Sequence, residues 1–172
     1  MTPKRLFAAI TGLAALALCS TGAFASTVVT VYHPAGMVVT KTVHGNCWTD
    51  SIATARADAY RCMVANAIYD PCFAAGSNRV GCPTNLARNR GVVIISTLPK
   101  NPPPYSQPAW AMMLTDGVVC TAITGTTMPG YPFACTNSLI CNAPRISAHS
   151  SVRCADENAH PRGSFGVAKI WR

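Results

Sequence analysis

Cysteine and histidine are the residue types in this chain best suited to metal or redox chemistry. The nine cysteines include no C-x-x-C pair, and the closest two, Cys135 and Cys141, have five residues between them. The histidines form two widely spaced pairs with no H-x-x-x-H motif, His33/His44 and His149/His160. Zinc ribbons and thioredoxin-like redox centres are therefore disfavoured. The sequence predicts no metal ion and no cofactor.

A nucleophilic cysteine is the sharpest catalytic candidate. Residues 45–48 read Gly-Asn-Cys-Trp, which resembles the G-x-C-W around the nucleophile of papain-like cysteine proteases. His149 or His160 follows about 100 residues later, with Asn158 nearby. The oxyanion glutamine and the C-G step of that family are absent, and a nucleophile must be a free thiolate. A structural disulfide at Cys47 explains the same residues, so a Cys47/His hydrolase is the alternative and not the leading function.

Paired carboxylates are the second catalytic candidate. The only glutamate, Glu157, adjoins Asp156, so a two-carboxylate glycosidase would have to recruit one of four dispersed acids, Asp50, Asp58, Asp70 or Asp116. The sequence contains no G-x-S-x-G elbow, no S-x-x-K and no glycine-rich phosphate loop. No catalytic residue is therefore assigned.

The first 25 residues are typical of a secretory signal peptide. Lys4 and Arg5 precede an uncharged stretch over 6–18, and Ala-Phe-Ala ends the segment at Ala25. The apolar stretch is too short to span a bilayer, which takes about 20 residues. Cleavage after Ala25 would leave 147 residues and lower the net charge from +8 to +6. We expect a secreted or periplasmic protein; lipidation of Cys19 is a minor alternative because Leu18, not a small residue, precedes it.

The cysteine count supports export. Removing the signal peptide removes Cys19 and leaves eight cysteines, an even number that indicates complete pairing in an oxidising compartment. Eight cysteines allow 105 connectivities, so spacing alone does not fix the pairs. Local closure favours, in this order, Cys120–Cys135, Cys72–Cys82, Cys47–Cys62 and Cys141–Cys154.

The basic residues are unevenly distributed. No acid occurs between Asp70 and Asp116. Four basic residues fall in that stretch, Arg79, Arg88, Arg90 and Lys100. Together with Trp110 they form a candidate binding set. Such a stretch suits an anionic envelope polymer; another extracellular protein is the alternative partner. Nucleic acid is disfavoured, because no two basic residues are adjacent and aromatics are not interleaved with them. A solvated basic face explains the same residues, and Trp110 also suits a core position.

Hydrophobic periodicity predicts a single α+β domain over 45–172. The main helix is expected from Thr49 or Asp50 to Ile68, where alanines and Cys62 recur at helical spacing and Pro71 stops the pattern. Strands are expected at 91–98, on both sides of Asp116-Gly117, at 133–135 and at 163–172. Residues 26–44 read as a β-hairpin or loosely attached segment, and Lys100–Pro104 as a stiff connector. The predicted fold is a small antiparallel sheet with one main helix, stapled by disulfides and without an internal repeat.

Residues 45–73 (GNCWTDSIATARADAYRCMVANAIYDPCF), with Gly81-Cys82-Pro83 and the later W-x-x-x-L-x-x-G-x-x-C, carry a family resemblance. They are similar to a group of uncharacterised secreted or lipid-anchored bacterial proteins. The resemblance implies bacterial export and a shared fold, but no residue role, because that group has no established activity. Within the block, Arg56 with Asp58 and Arg61 with Asp70 are candidate structural ion pairs, or alternatively a polar ligand site.

The leading function is a secreted, non-catalytic, disulfide-stabilised binding or cell-envelope module. A small extracellular hydrolase is one alternative. A secreted enzyme inhibitor that presents the proline-rich loop at 99–108 is the other.

Overall fold

The computed structural model describes residues 26–48, 51–100 and 108–172, and these form almost only β-strands. The expected signal peptide with Cys19, the helix caps Thr49 and Asp50, and Pro102–Pro104 of the connector lie outside the described residues. The described strands are β1 Val28–Thr30, β2 Val38–His44, β3 Asn46–Trp48, β4 Ala59–Val64, β5 Ala67–Ala74, β6 Arg79–Asn85, β7 Arg90–Ile95, β8 Ala111–Leu114, β9 Val119–Ala122, β10 Phe133–Cys135, β11 Ile140–Cys141, β12 Ser151–Ala155 and β13 Pro161–Trp171, with a 3-10 turn at Leu86–Arg88. In these ranges no helix is both long and apolar enough to cross a membrane.

The predicted helix, and with it the α+β class, is wrong. Residues 59–74 form the hairpin β4–β5, which turns at Ala65 with a positive φ of 52°. Tyr60 and Cys62 are buried while Met63 is exposed, which is the two-residue alternation of a strand. Alanine and methionine are good helix formers, but the intrinsic preference is below about 1 kcal/mol per residue. Pairing with β3 and β5 overrides it.

The first half of the molecule is a curled six-stranded sheet. Strands β3 to β7 follow one another as antiparallel neighbours, and β2 pairs in parallel with β7. Only Gly45 separates β2 from β3, so the two edges of the sheet meet there. A Cβ on Gly45 would lie 2.6 Å from the Met63 carbonyl oxygen and 3.0 Å from Ile94 Cγ2. The missing side chain is therefore what lets β4 and β7 approach this point.

The second half is a six-stranded antiparallel barrel formed by β8 to β13. The long strand β13 closes it, pairing with β12 up to Gly166 and with β8 from Val167 onward. The strands expected beside Asp116-Gly117, at 133–135 and at the end of the chain are confirmed as β8, β9, β10 and β13. The strand expected at 91–98 is confirmed in the first half as β7.

The predicted N-terminal hairpin is wrong in its pairing. Both strands exist, but β1 joins β13 of the barrel in parallel and β2 joins β7 of the curled sheet. The Pro34–Gly36 turn thus passes the chain from one half to the other. Each strand finds a longer partner than its neighbour in sequence could offer.

An aromatic cluster joins the two halves. Trp110 packs against Tyr32 and Phe73 with ring centroids 5.5 and 5.3 Å away. Arg56 lies over the Phe73 ring at 4.5 Å and donates from Nη1 to the carbonyl oxygens of Tyr32 and Arg172. Its other nitrogens bind both carboxylate oxygens of Asp58, at 2.8 and 2.6 Å. The buried guanidinium is thus paired and ties both halves together.

Each half is stapled by two disulfides between neighbouring strands. The pairs are Cys47–Cys62, Cys72–Cys82, Cys120–Cys135 and Cys141–Cys154, with Cα atoms 3.8–4.1 Å apart. These are the pairs that local closure favoured. Strands joined by short turns bring sequence-near cysteines face to face, so the short-range pairing follows from the topology.

Candidate functional site

The proposed cysteine nucleophile is not a free thiol. Cys47 lies on β3 of the first half and is bonded to Cys62. His149 and His160 belong to the second half, where His160 contacts the Asp156 carboxylate at 3.3 Å. A thiolate is required for cysteine protease chemistry, and this cysteine is held in a disulfide.

Two of the candidate acids, Asp58 and Asp156, are exposed or half-buried and held by internal partners. Asp58 is bound by Arg56, and Asp156 accepts hydrogen bonds from the His160 and Asn158 backbone and from Arg162. Those bonds, led by the His160 N–H, lower the pKa of Asp156. These two carboxylates therefore have structural partners and stabilise the local fold.

Asp70 has a fully buried side chain. It accepts hydrogen bonds from Ser51 Oγ at 2.5 Å and from the Ile52 N–H at 3.0 Å, and lies 4.0 Å from Arg61 Nε. Burial raises the pKa of Asp70, although these partners act in the opposite direction. Both ion pairs anticipated from the sequence, Arg56–Asp58 and Arg61–Asp70, are therefore present.

The basic residues singled out from the sequence do not converge on one site. Arg79 pairs with Ile95 at one end of the β6–β7 ladder, and Arg90 with Asn85 at the other. Five residues of strand separate them by about 17 Å. Arg88 is exposed in the adjoining 3-10 turn, and Lys100 is exposed beyond β7. Trp110 is 1% exposed and belongs to the aromatic cluster between the halves.

A basic groove in the second half was missed by the sequence analysis. Its volume is about 510 Å³, and it is lined by the loop before β12, by β12 and by Ser164 of β13. Arg145, His149 and Arg153 supply the basic groups, and the lining residues include four serines, Ser147, Ser150, Ser151 and Ser164, and no acid. The available signal was a second acid-free stretch, from 117 to 155, ending in two arginines, a histidine and three serines within nine residues.

Hydrogen bonds around Ser150 hold the loop of this groove. Ser150 is buried; its Oγ donates to the Arg145 carbonyl at 2.7 Å and accepts from the Ser147 N–H at 3.1 Å. Thr27 Oγ1 accepts from the Ser150 N–H at 2.8 Å and donates to the Val167 carbonyl at 2.7 Å. Hydrogen bonds within the loop and to Thr27 therefore hold the loop that carries Arg145 and His149 in one conformation.

A second concave surface, the central cleft, lies between the halves and measures about 600 Å³. The first half contributes Pro71 and residues 83–87, and the second contributes Trp110 and residues of β9 and β10. Among its lining residues Pro71, Trp110 and Val119 are buried, while Thr84, Thr121 and Ala134 are exposed. The joint between the halves therefore creates an open cleft.

Comparison of the chain with protein-family models, curated proteins and solved structures finds no significant match.

Proposed function

We propose that the protein is an exported, non-catalytic module that binds an anionic extracellular polymer in the groove around Arg145, His149 and Arg153. One observation carries this proposal: two arginines and a histidine line the same groove with four serines and no carboxylate. Guanidinium groups bind phosphate and carboxylate oxygens in pairs of parallel hydrogen bonds, and serine hydroxyls add neutral donors. The four disulfides indicate an oxidising compartment outside the cytoplasm.

The arginines of the groove are available to a ligand. Arg145 and Arg153 are exposed, and neither side chain forms an ion pair within the described residues. The groove is open, so it suits a few repeating units of a long chain better than an enclosed small molecule. The loop is held by Ser150 before any ligand arrives, which reduces the entropy lost on binding.

The proposal is tested by titrating the chain from Ser26 onward with soluble polyphosphate and, separately, with polygalacturonate in an isothermal calorimeter. The double variant Arg145→Gln/Arg153→Gln should bind roughly tenfold more weakly, since each exposed ion pair contributes up to about 1 kcal/mol. Binding by the unmodified chain should weaken steeply with salt. Tighter binding to polyphosphate than to polygalacturonate, or the reverse, identifies whether the natural ligand carries phosphate or carboxylate groups.

The matched control is Arg79→Gln/Arg88→Gln, which removes the same charge from exposed positions outside the groove. It should change the affinity less than threefold, an effect of long-range charge alone. Equal losses in the two double variants would reduce the binding to net charge and refute the site. Binding of neither polymer, or binding insensitive to salt, would refute the proposed function.

A further inference from the structure

The two disulfides of the second half lie against each other. Cys135 Sγ is 3.3 Å from Cys141 Sγ, although these two cysteines belong to different disulfides. In the β10–β11 register Cys141 faces Phe133, so Cys135 is displaced from it by two residues and lies on the same side of the sheet. The sulfurs of Cys120, Cys135 and Cys141 are all within 4.8 Å of one another. These three sulfurs form a cluster that connects the two disulfides.

One cysteine of this cluster borders open space. Cys135 is half-buried and lines the central cleft, whose volume is about 600 Å³. The other three cysteines of the second half, Cys120, Cys141 and Cys154, are at most 2% exposed. A cleft of this volume admits small molecules. Cys135 is therefore the cysteine of the second half that is most open to a small thiol.

The first half repeats this arrangement. Cys47 is half-buried and lines a surface cavity of about 390 Å³, and its disulfide partner is Cys62. The sulfurs of Cys62, Cys72 and Cys82 are buried and within 4.8 Å of one another. In both halves, one half-buried cysteine at a cavity is thus bonded into a cluster that reaches a second disulfide.

Neighbouring disulfides can exchange once one of them is opened. A thiolate attacks one sulfur of a disulfide, forms a new S–S bond with it and displaces the other sulfur as a thiolate. The rate rises strongly when the attacking atom is held beside its target. A Cys135 thiolate would be held in this way beside Cys141 Sγ.

We propose that the second half is a thiol–disulfide exchange site, in which a small thiol reduces Cys120–Cys135 from the central cleft and Cys135 then opens Cys141–Cys154. Two thiol molecules reduce the first bond and leave as one disulfide, and the two cysteines gain their two electrons and two protons. The Cys135 thiolate next attacks Cys141 Sγ, and Cys154 leaves as a thiolate that takes up the proton lost by Cys135. The product contains a Cys135–Cys141 disulfide and thiols at Cys120 and Cys154. This site is independent of the basic groove, because the two surfaces share no lining residue.

The rate at which Cys141–Cys154 is reduced tests the proposal. The folded chain from Ser26 onward is treated with 2-mercaptoethanol and quenched with acid, and its thiols are alkylated with N-ethylmaleimide and located by peptide mass spectrometry. In Cys120→Ser/Cys135→Ser the buried bond has only external attackers, so its reduction should be at least about tenfold slower than in the unmodified chain. Loss of a disulfide destabilises the fold and would by itself speed reduction. Reduction at the same rate or faster in this variant would therefore overturn the proposal.

The matched control is Cys47→Ser/Cys62→Ser. It removes a disulfide with the same separation of 15 residues from the other half, and it should not slow the reduction of Cys141–Cys154. Equal slowing in the two double variants would refute a specific role for Cys135.

Two single variants test the exchange step without any added thiol. Cys120→Ser leaves Cys135 free, and the expected product is a Cys135–Cys141 disulfide with the alkyl label on Cys154. Cys141→Ser leaves Cys154 free, outside the cluster of mutually close sulfurs, and should keep Cys120–Cys135 intact. Label on Cys135 alone in the first variant, or exchange to the same extent in both, would overturn the proposal.

Discussion

The two halves of the molecule use the same disulfide pattern on differently closed sheets. In each, five consecutive antiparallel strands carry disulfides between the first and second strand and between the third and fourth, in β3–β7 and in β9–β13. The first half then closes through the parallel strand β2, whereas the second closes through the antiparallel strand β8. The stapled meander is thus the common unit, and the closing strand is the variable one.

The sequence hides this structural repeat. The cysteine spacing agrees only in the first disulfide of each half, where both pairs are 15 residues apart. The second pairs differ, at 10 and 13 residues. Turn length and side chains differ almost everywhere else, so what the halves share is the order of strands and staples.

The largest expected effect tests whether the equivalent staples stabilise equally. Cys47→Ala/Cys62→Ala and Cys120→Ala/Cys135→Ala open loops of the same length, so chain entropy predicts a loss of about 3 kcal/mol in each. Each pair joins a buried cysteine to a half-buried one. Chemical denaturation of the two variants measures the comparison, and a difference well above 1 kcal/mol would show that the halves do not respond as equivalent units.

A smaller effect distinguishes how the two sheets close. Gly45 and Gly166 both lie where a sheet closes, but a Cβ at Gly45 would meet backbone, whereas at Gly166 it would meet the Thr115 side chain at 2.9 Å. Gly45→Ala should therefore cost about 1–3 kcal/mol, as overpacking does, and Gly166→Ala clearly less, because a side chain can rotate away. Thermal unfolding of both variants provides the measurement; equal losses would contradict the assigned difference.

The smallest effect is a difference in pH dependence. Hydrogen bonds lower the pKa of Asp156 below 3.8, so its contribution to stability is present above that value and is lost as pH falls through the folded-state pKa. Burial raises the pKa of Asp70 above 3.8, so the folded state takes up this proton first and gains stability as pH falls toward 3.8. The stability of the unmodified chain relative to Asp70→Asn should rise over that window, while relative to Asp156→Asn it should fall at lower pH. Parallel trends in the two comparisons would contradict the opposite shifts.

The local features of the fold could be predicted from the sequence. Asp116-Gly117 between apolar runs identifies the β8–β9 hairpin because few other conformations suit that pair of residues. Local closure likewise favoured the observed disulfides, since cysteines on neighbouring strands are close in sequence. These signals depend on short segments and survive any tertiary arrangement.

The errors arise where tertiary pairing decides. The spacing of Cys62 and its neighbours fits a helix as well as a strand, and only β3 and β5 on either side select the strand. Likewise, the absence of acids between 71 and 115 predicted a shared binding site for Arg79 and Arg90, but the β6–β7 ladder places these two residues at opposite ends. The groove at Arg145 is built mainly from β12 and the loop before it, and the sequence analysis did not predict β12 as a strand.

The pairing of β1 with β13 also determines the order in which the strands can form. A chain is synthesised from its N-terminus, and Val28 must wait for Lys169, about 140 residues later, which at 5–20 residues per second takes roughly 7–28 s. The curled sheet has all its strands by Ile95 and can close long before then. During the delay β1 is an unpaired strand with exposed valines, the kind of segment that chaperones protect. Its parallel pairing with β13 therefore makes β1 the last described strand to be put in place.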